Sequence, residues 1–362
     1  MKKGTAILSA LLLCMGLLAG CGSKAEETTT AAAAATTEAA AATEAETTEA
    51  ETSTEEETAL GESVDPSAAK IRIGAMKGPT SMGLVFMMQE HPEYYFQMET
   101  AADALTALVI SGEIDIALVP ANLASVLYNK TEGKISVIDI NTLSVLGLVT
   151  GGDEVTSIAD LQGKILYLTG KGTTPDYVLQ YLLRANGLTE SDVTLEYKSE
   201  ATEVAAILAE QPEAIGLLPQ PFATAACIQN DQLKVVLELG NEWTAVQQAE
   251  GGESALVTGV TIVRNAFLEE NPELVETFLS EHQDSAAYTT ANPEQAAEWI
   301  ADLGIVGKAA IAQKAIPACG ITYLDGSEMK TALEGYLQVL FDQAPASIGG
   351  AMPADDFYYN AQ

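Results

Sequence analysis

Three short segments collect side chains suited to hold a small polar solute: Lys77-Gly78-Pro79-Thr80-Ser81, Pro120-Ala121-Asn122 and Thr169-Gly170-Lys171-Gly172-Thr173-Thr174. Each follows an apolar run and precedes a helical pattern. A helix start leaves backbone N–H groups free, and these favour an anion or another hydrogen-bond acceptor. Lys77 and Lys171 add cations, which suits a sulfonate, carboxylate or phosphate; lysine is equally ordinary in exposed loops. Serine and threonine at these places also cap helices whatever the function. Gln220 adds an amide in Leu218-Pro219-Gln220-Pro221. Of the aromatic residues Tyr167, Phe222 and Trp243, such side chains more often pack a core, and only Trp243 is retained as a candidate wall. The candidate ligand-binding residues are therefore Lys77, Gly78, Thr80, Ser81, Pro120, Asn122, Thr169, Lys171, Gly172, Thr173, Thr174, Gln220 and Trp243. Arg72, Arg184 and Arg264 fall outside these loops, which argues against a forked arginine–carboxylate contact.

Reaction chemistry is thinly represented. The Lys171 loop lacks the Gly-x-x-x-x-Gly-Lys-Ser/Thr spacing of a phosphate-binding loop. No Gly-x-Ser-x-Gly or His-Glu-x-x-His motif occurs. The two histidines, His91 and His282, have no cysteine spacing beside them that suits zinc. Neither a catalytic residue, a metal nor a cofactor is implied. The chain carries 51 acidic residues against 17 basic ones, a net charge of −34. Such a surface argues against nucleic acid and against polybasic membrane binding.

The segments that position these loops alternate between strand and helix. The pattern predicts strands over Lys70–Ala75, Tyr94–Glu99, Ile114–Val119 and Ser144–Thr150, with helices over Thr80–Glu90, Ala101–Ser111 and after Asn122. The rhythm restarts with strands over Lys164–Leu168, Val193–Tyr197, Ala214–Leu218 and Leu233–Leu237 and helices over Asp176–Ala185 and Ala201–Ala209. A strand over Thr258–Val263 follows, then mostly helix. Asn271-Pro272-Glu273 and Asn292-Pro293-Glu294-Gln295 supply helix-start signals. Strands separated by helices of about ten residues imply α/β units with mostly parallel sheets.

At the N-terminus, Lys2 and Lys3 precede an apolar run from Ala6 to Leu18, too short to span a bilayer permanently. It ends in Leu18-Ala19-Gly20-Cys21, which resembles the lipobox of bacterial lipoproteins. That resemblance implies a signal peptide over 1–20 and acylation of Cys21 with diacylglycerol and palmitate-like chains. It places the protein on the outer face of a bacterial cell membrane, held by lipid alone. Residues 22–66 are largely Ala, Thr and Glu, with one lysine, eleven glutamates and one aspartate, a net charge of −11. Such a segment buries too little to offset chain entropy, so 21–67 is expected to be a disordered acidic spacer. Cys227 and Cys319 remain beyond it, and their apolar company favours two buried free thiols over a disulfide.

The folded remainder resembles a type II periplasmic-binding-protein-like clamshell, in which two α/β lobes are joined by two hinge crossings. The likeness is carried by Gly78-Pro79-Thr80-Ser81, Asp115-Ile116-Ala117, Gly172-Thr173-Thr174-Pro175, Leu218-Pro219-Gln220-Pro221-Phe222 and Val263-Arg264. It continues through Asp325-Gly326-Ser327-Glu328-Met329 and Ser347-Ile348-Gly349-Gly350 to Phe357-Tyr358-Tyr359. These resemble the NMT1-like binding proteins of sulfonate, taurine, nitrate and thiamine-precursor ABC importers. The resemblance implies lobe 1 over 68–151, lobe 2 over 152–256, and a return to lobe 1 with C-terminal helices over 257–362. It implies a monomer that passes a small solute to an ABC permease and its ATPase. A sensing lipoprotein that signals to a membrane receptor is the alternative. Gln220 stands where related chains often carry glutamate. A pyrimidine-precursor synthase of similar shape needs a cysteine-rich motif and a reactive histidine, and neither is present, so no enzyme is expected.

Overall fold

The computed structural model describes residues 64–360. The expected leader, Cys21 and nearly all of the acidic spacer lie outside them. In chain order the first stretch reads β1 (Arg72–Met76), α1 (Pro79–Met82), α2 (Val85–Glu90), β2 (Tyr95–Glu99), α3 (Ala102–Ser111), β3 (Ile116–Pro120), α4 (Ala121–Thr131) and β4 (Ile135–Thr142). Next come β5 (Leu146–Thr150), β6 (Ile165–Thr169), α5 (Thr174–Ala185), β7 (Thr194–Lys198), α6 (Ala201–Glu210), β8 (Ile215–Pro219), α7 (Phe222–Gln229), β9 (Lys234–Glu238) and α8 (Leu239–Glu250). The last stretch holds β10 (Gly259–Arg264), α9 (Asn265–Glu270), α10 (Pro272–Ala291), α11 (Pro293–Asp302), α12 (Ala309–Ala315), β11 (Ile321–Leu324) and α13 (Gly326–Gln343).

The strands form two sheets, ordered β11-β4-β10-β3-β1-β2 and β7-β6-β8-β5-β9. The two-sheet α/β architecture is the expected one, but each sheet is mixed rather than mostly parallel. β1 runs parallel to β2 and β3, while β10 runs against β3 and β4. In the second sheet β6 is parallel to β7 and β8, while β5 opposes β8 and β9. The cause lies in the connections. β4 ends at Thr142 and β5 begins at Leu146, opposite Pro219 at the end of β8. β10 begins at Gly259, opposite Pro120 at the end of β3. A strand that enters a sheet at the carboxyl ends of its parallel neighbours must run against them.

The pairing also moves one boundary. Ser144–Thr150, expected to close the first unit, mostly joins the second sheet as β5. The first crossing is therefore Leu143–Val145, several residues before the 151/152 lobe boundary that the resemblance implies; the second, between α8 and β10, covers Gly251–Thr258.

Two further differences have local causes. The helix expected over Thr80–Glu90 is broken at Gly83-Leu84. Ser285 of α10 sits in the break: its hydroxyl donates to the Gly83 carbonyl at 2.6 Å and accepts from the Met87 N–H at 3.0 Å. It thus replaces the i to i+4 bond that would have joined the two turns. Asn271 and Asn292 do stand at helix starts, yet their amides donate backward, to Phe267 O at 3.2 Å and Tyr288 O at 3.0 Å. Neither side chain caps the helix that follows it.

One apolar cluster runs through both sheets. It joins Val137 and Ile140 of β4, Leu148 of β5, Leu166 of β6, Trp243 of α8, and Tyr336 and Leu340 of α13. Separate clusters cover the outer faces, under α2 and α10 for the first sheet and under α6 and α7 for the second.

Candidate functional site

The ends of β1, β3, β4, β6 and β8 and the start of β5 and β10 all lie on the side where the chain passes between sheets, so the loops there are brought to one region. On the first sheet the loop after β1 is closed mainly by its own hydroxyls. Thr80 Oγ1 donates to Met76 O at 3.3 Å and Ser81 Oγ to Gly78 O at 3.0 Å. Ser81 is fully buried, so its hydroxyl closes a turn and does not reach open space. Gly78 does face open space: a Cβ there would meet nothing within 4 Å, and its φ of +142° suits glycine. Lys77 is exposed, with its ammonium leaning toward Gly304. Pro120 is half-buried at the end of β3. Asn122 points into the fold, donating to Ser347 O at 3.2 Å.

On the second sheet the loop between β6 and α5 is tied by a residue that sequence reading passes over. Asp176 is 3% exposed, and its Oδ2 accepts from the Gly172 N–H at 2.7 Å. Its Oδ1 accepts from Gln180 Nε2 at 2.8 Å and Tyr197 Oη at 2.7 Å. Burial, reinforced by the Asp176 carboxylate, pushes the Tyr197 phenol up from its ordinary range. Lys171 Nζ lies 5.2 Å from the centre of the Tyr197 ring, a cation–π placement that Asp176 fixes indirectly. Thr173 Oγ1 donates to Gly170 O at 2.6 Å, closing the turn. Thr169 is half-buried at the end of β6. Thr174 begins α5 and its hydroxyl lies near the buried Tyr336 phenol of α13.

Trp243 is no wall of the site. It is fully buried, donates to Ser254 Oγ at 3.0 Å, and packs against Tyr181 and Tyr336 at 4.7 and 5.6 Å between ring centres. Cys227 and Cys319 are both free; Cys319 is buried as expected, while Cys227 is only half-buried.

Gln220 is the candidate that meets a cavity. Its N–H donates to Val145 O at 2.7 Å, and its Oε1 accepts from the Thr224 N–H at 3.2 Å and Thr224 Oγ1 at 2.7 Å. The cavity beside it has a volume of about 160 Å³. Its walls come from the first crossing and β5 (Ser144–Gly147), from Gln220, from Val235 of β9, from Glu238, Gly240 and Asn241 at the β9–α8 junction, and from Pro317, Ala318 and Gly320 before β11. The second sheet and the segment leading into β11 of the first sheet thus both contribute. Elsewhere in the same region α7 packs against α12, bringing elements of the two sheets together. Glu238 and Asn241 are legible only as a strand end and a helix start; no motif marks them.

The sequence profile of the NMT1/THI5-like family matches residues 96–296. The chain belongs to that family. A crystal structure of an ABC transporter protein from Parabacteroides distasonis superposes on this family member with a TM-score of 0.68. The two are 23% identical, with 82% of this chain and 100% of that one covered. The periplasmic aliphatic sulphonate binding protein SsuA of Escherichia coli gives a TM-score of 0.61 at 16% identity, covering 81% of this chain and 93% of its own. The fold is accordingly that of the periplasmic binding proteins. A Brucella abortus (strain 2308) protein, named only as a candidate binding protein, is 26% identical over 183 residues, 51% of this chain and 54% of that protein. The chain spans about half the length of the curated relatives it matches.

Proposed function

We propose that this chain is the extracytoplasmic solute-binding subunit of an ABC importer, a non-enzymatic protein that captures a small solute between its two sheets and hands it to a permease served by an ATPase. The observation that carries the reading is the cavity at the first crossing, walled by the second sheet and by the segment that leads into β11 of the first. A solute lodged there bridges the lobes, and the two crossings let them rotate about it. Solved structures with this fold include a sulphonate-binding protein and an ABC transporter protein, which supports a transport role.

In this reading Cys21 carries the lipid, the acidic segment beyond it is the spacer, and the folded part works as a monomer at the outer membrane face. Cys21→Ala abolishes labelling by a fatty-acid probe; retained labelling rejects the anchor. Solute binding is tested by thermal unfolding across sulfonates, nitrate, pyrimidines, small carboxylates and small amines. A solute at a hundredfold excess over its Kd adds about 2.7 kcal/mol of stability. No stabilisation by any class rejects the binding function.

A further inference from the structure

The solute-binding reading leaves the charge of the solute open, and the cavity at the first crossing bears on it. Gln220 is 7% exposed and borders this cavity. The Thr224 N–H can only donate, so the Gln220 atom it meets is the oxygen. The amide nitrogen is therefore the free end, and no hydrogen bond among the described residues uses it. Across the cavity stands Glu238. Asn241 Nδ2 holds its Oε2 at 3.0 Å, and no hydrogen bond among the described residues uses Oε1. Glu238 is the one charged side chain in the lining; no lysine, arginine or histidine contributes to it. The two loop cations are not in the lining: Lys77 leans toward Gly304 and Lys171 lies over Tyr197. An oxyanion placed here would face a carboxylate with no cation to offset it. A cation would meet Glu238 directly, and the chain's net charge of −34 would draw it in.

We propose, on the basis of the solute-binding reading, that this cavity takes a small cationic solute of the amine, amidine or guanidine class. Glu238 Oε1 accepts from its N–H groups. Gln220 Nε2 donates to an acceptor elsewhere on the same molecule. Asn241 holds the carboxylate in place. Of the remaining walls, Val145, Leu146, Gly147, Val235 and Pro317 are apolar or backbone and Ser144 adds a hydroxyl; the small volume selects for small size.

The test uses the full chain and five probes: ethanolamine, acetamidine and methylguanidine against ethanesulfonate and nitrate. Thermal unfolding identifies probes that bind, and calorimetric titration gives their Kd. At least one cationic probe is expected to stabilise the protein. Glu238→Gln should weaken that probe roughly tenfold or more, the loss of a charge-assisted hydrogen bond. Asn241→Ala should weaken it less, and the charge-matched Glu190→Gln, on an exposed turn remote from the cavity, should not change it. Because Glu238 is exposed, its variant is expected to keep the parent's unfolding midpoint. Stabilisation by ethanesulfonate or nitrate alone overturns the cationic assignment and leaves the binding function standing. So does a cation affinity that Glu238→Gln does not alter. Stabilisation by none of the five overturns the cationic assignment, and the wider solute panel then decides the binding function separately.

Discussion

His282 Nδ1 lies 3.1 Å from Asp139 Oδ2, and both side chains are fully buried between α10 and β4. The other carboxylate oxygen of Asp139 accepts from Thr261 Oγ1 at 2.8 Å, and Asn141 Nδ2 donates to that hydroxyl at 3.1 Å. A chain of polar groups thus links β4, β10 and α10 inside the first sheet's core. His282 Nε2 is buried without a partner among the described residues, so the ring makes one hydrogen bond. Removing Asp139 leaves His282 Nδ1 without a partner and the Thr261 hydroxyl proton without an acceptor. Asp139→Ala is expected to lower the unfolding free energy by about 3 kcal/mol, the scale of losing hydrogen bonds to a charged group. Urea denaturation measures it; a loss below about 1 kcal/mol would show that the site relaxes or takes in water.

That network explains why part of the fold is hard to read in the sequence. β4 is buried at all eight positions, yet Ser136, Asp139, Asn141 and Thr142 are polar, so Ile135–Thr142 lacks the apolar run that marks β1, β3 and β8. Ser136, Asp139 and Asn141 are satisfied by partners far away in the chain, which no local pattern reveals. The crossing is misplaced for a related reason. β5 has a clear strand pattern, but only pairing with Pro219 and Glu238 tells which sheet it joins. The loops at the helix starts are legible because apolar runs followed by Gly, Pro, Ser and Thr announce them. Which of their side chains face outward is not: Ser81 and Asn122 turn inward to bonds set by tertiary contacts, and Asp176 and Glu238 gain their roles from neighbours on other strands.

Asp176 gives a second prediction. It bonds the backbone of Gly172, the side chain of Gln180 and the phenol of Tyr197. Asp176→Ala should cost about 2–3 kcal/mol, because a buried carboxylate with three donors is lost. More specifically, amide hydrogen exchange at Gly172 and along Thr169–Thr173 should speed up, while β1 and β3 stay protected. Unchanged exchange in this loop would mean that the Thr173–Gly170 turn alone holds it.

The thiols differ in environment. Burial pushes the Cys319 thiol up to about 12, whereas Cys227 is raised from a half-buried position. In the native protein Cys227 should alkylate slowly and Cys319 only after unfolding, as read by mass spectrometry of modified peptides. The sign for stability follows from the raised value. Below the ordinary thiol value of 9.0 both folded and unfolded chains hold the Cys319 proton, so stability is unaffected. As pH rises above it, the unfolded chain releases the proton first, and stability falls. Cys319→Ala should remove that alkaline component at the cost of a small cavity.

The first crossing passes unusually close to two glycines. A Cβ on Gly240 would sit 2.4 Å from Ser144 Cβ, and one on Gly320 would sit 2.7 Å from Ser144 O and 2.9 Å from Leu143 O. Gly320 also has a φ of +62°, and its carbonyl accepts from the Leu143 N–H at 2.8 Å. Gly320→Ala therefore combines a left-handed backbone with contacts to backbone atoms that cannot rotate away. A destabilisation of roughly 2–4 kcal/mol is expected, from the left-handed penalty and the overpacking together. Gly240→Ala meets mainly a serine side chain and should cost less. Equal losses in urea unfolding would contradict this ranking.

The shared apolar cluster predicts how the lobes unfold. Val137 and Ile140 of the first sheet, Leu148 and Leu166 of the second, and Tyr336 and Leu340 of α13 belong to one contiguous core. α13 also grips α5 directly, with Gln343 Nε2 donating to Tyr177 O at 3.1 Å. Losing either sheet exposes apolar surface of the other, so the two should unfold together. The protein's two tryptophans provide separate reporters: Trp243 on α8 beside the second sheet, and Trp299 on α11, stacked near Phe86 and Tyr288 beside the first. In Trp299→Phe the fluorescence follows Trp243 alone, and in Trp243→Phe it follows Trp299 alone. Trp243→Phe also removes the bond to Ser254, so each single-tryptophan protein is compared with its own circular dichroism curve. Both fluorescence midpoints should coincide with the dichroism midpoint of the same variant. A fluorescence transition that leads or trails the dichroism in either variant would show that the sheets unfold one at a time, and that the cluster crossing between them contributes little to their coupling.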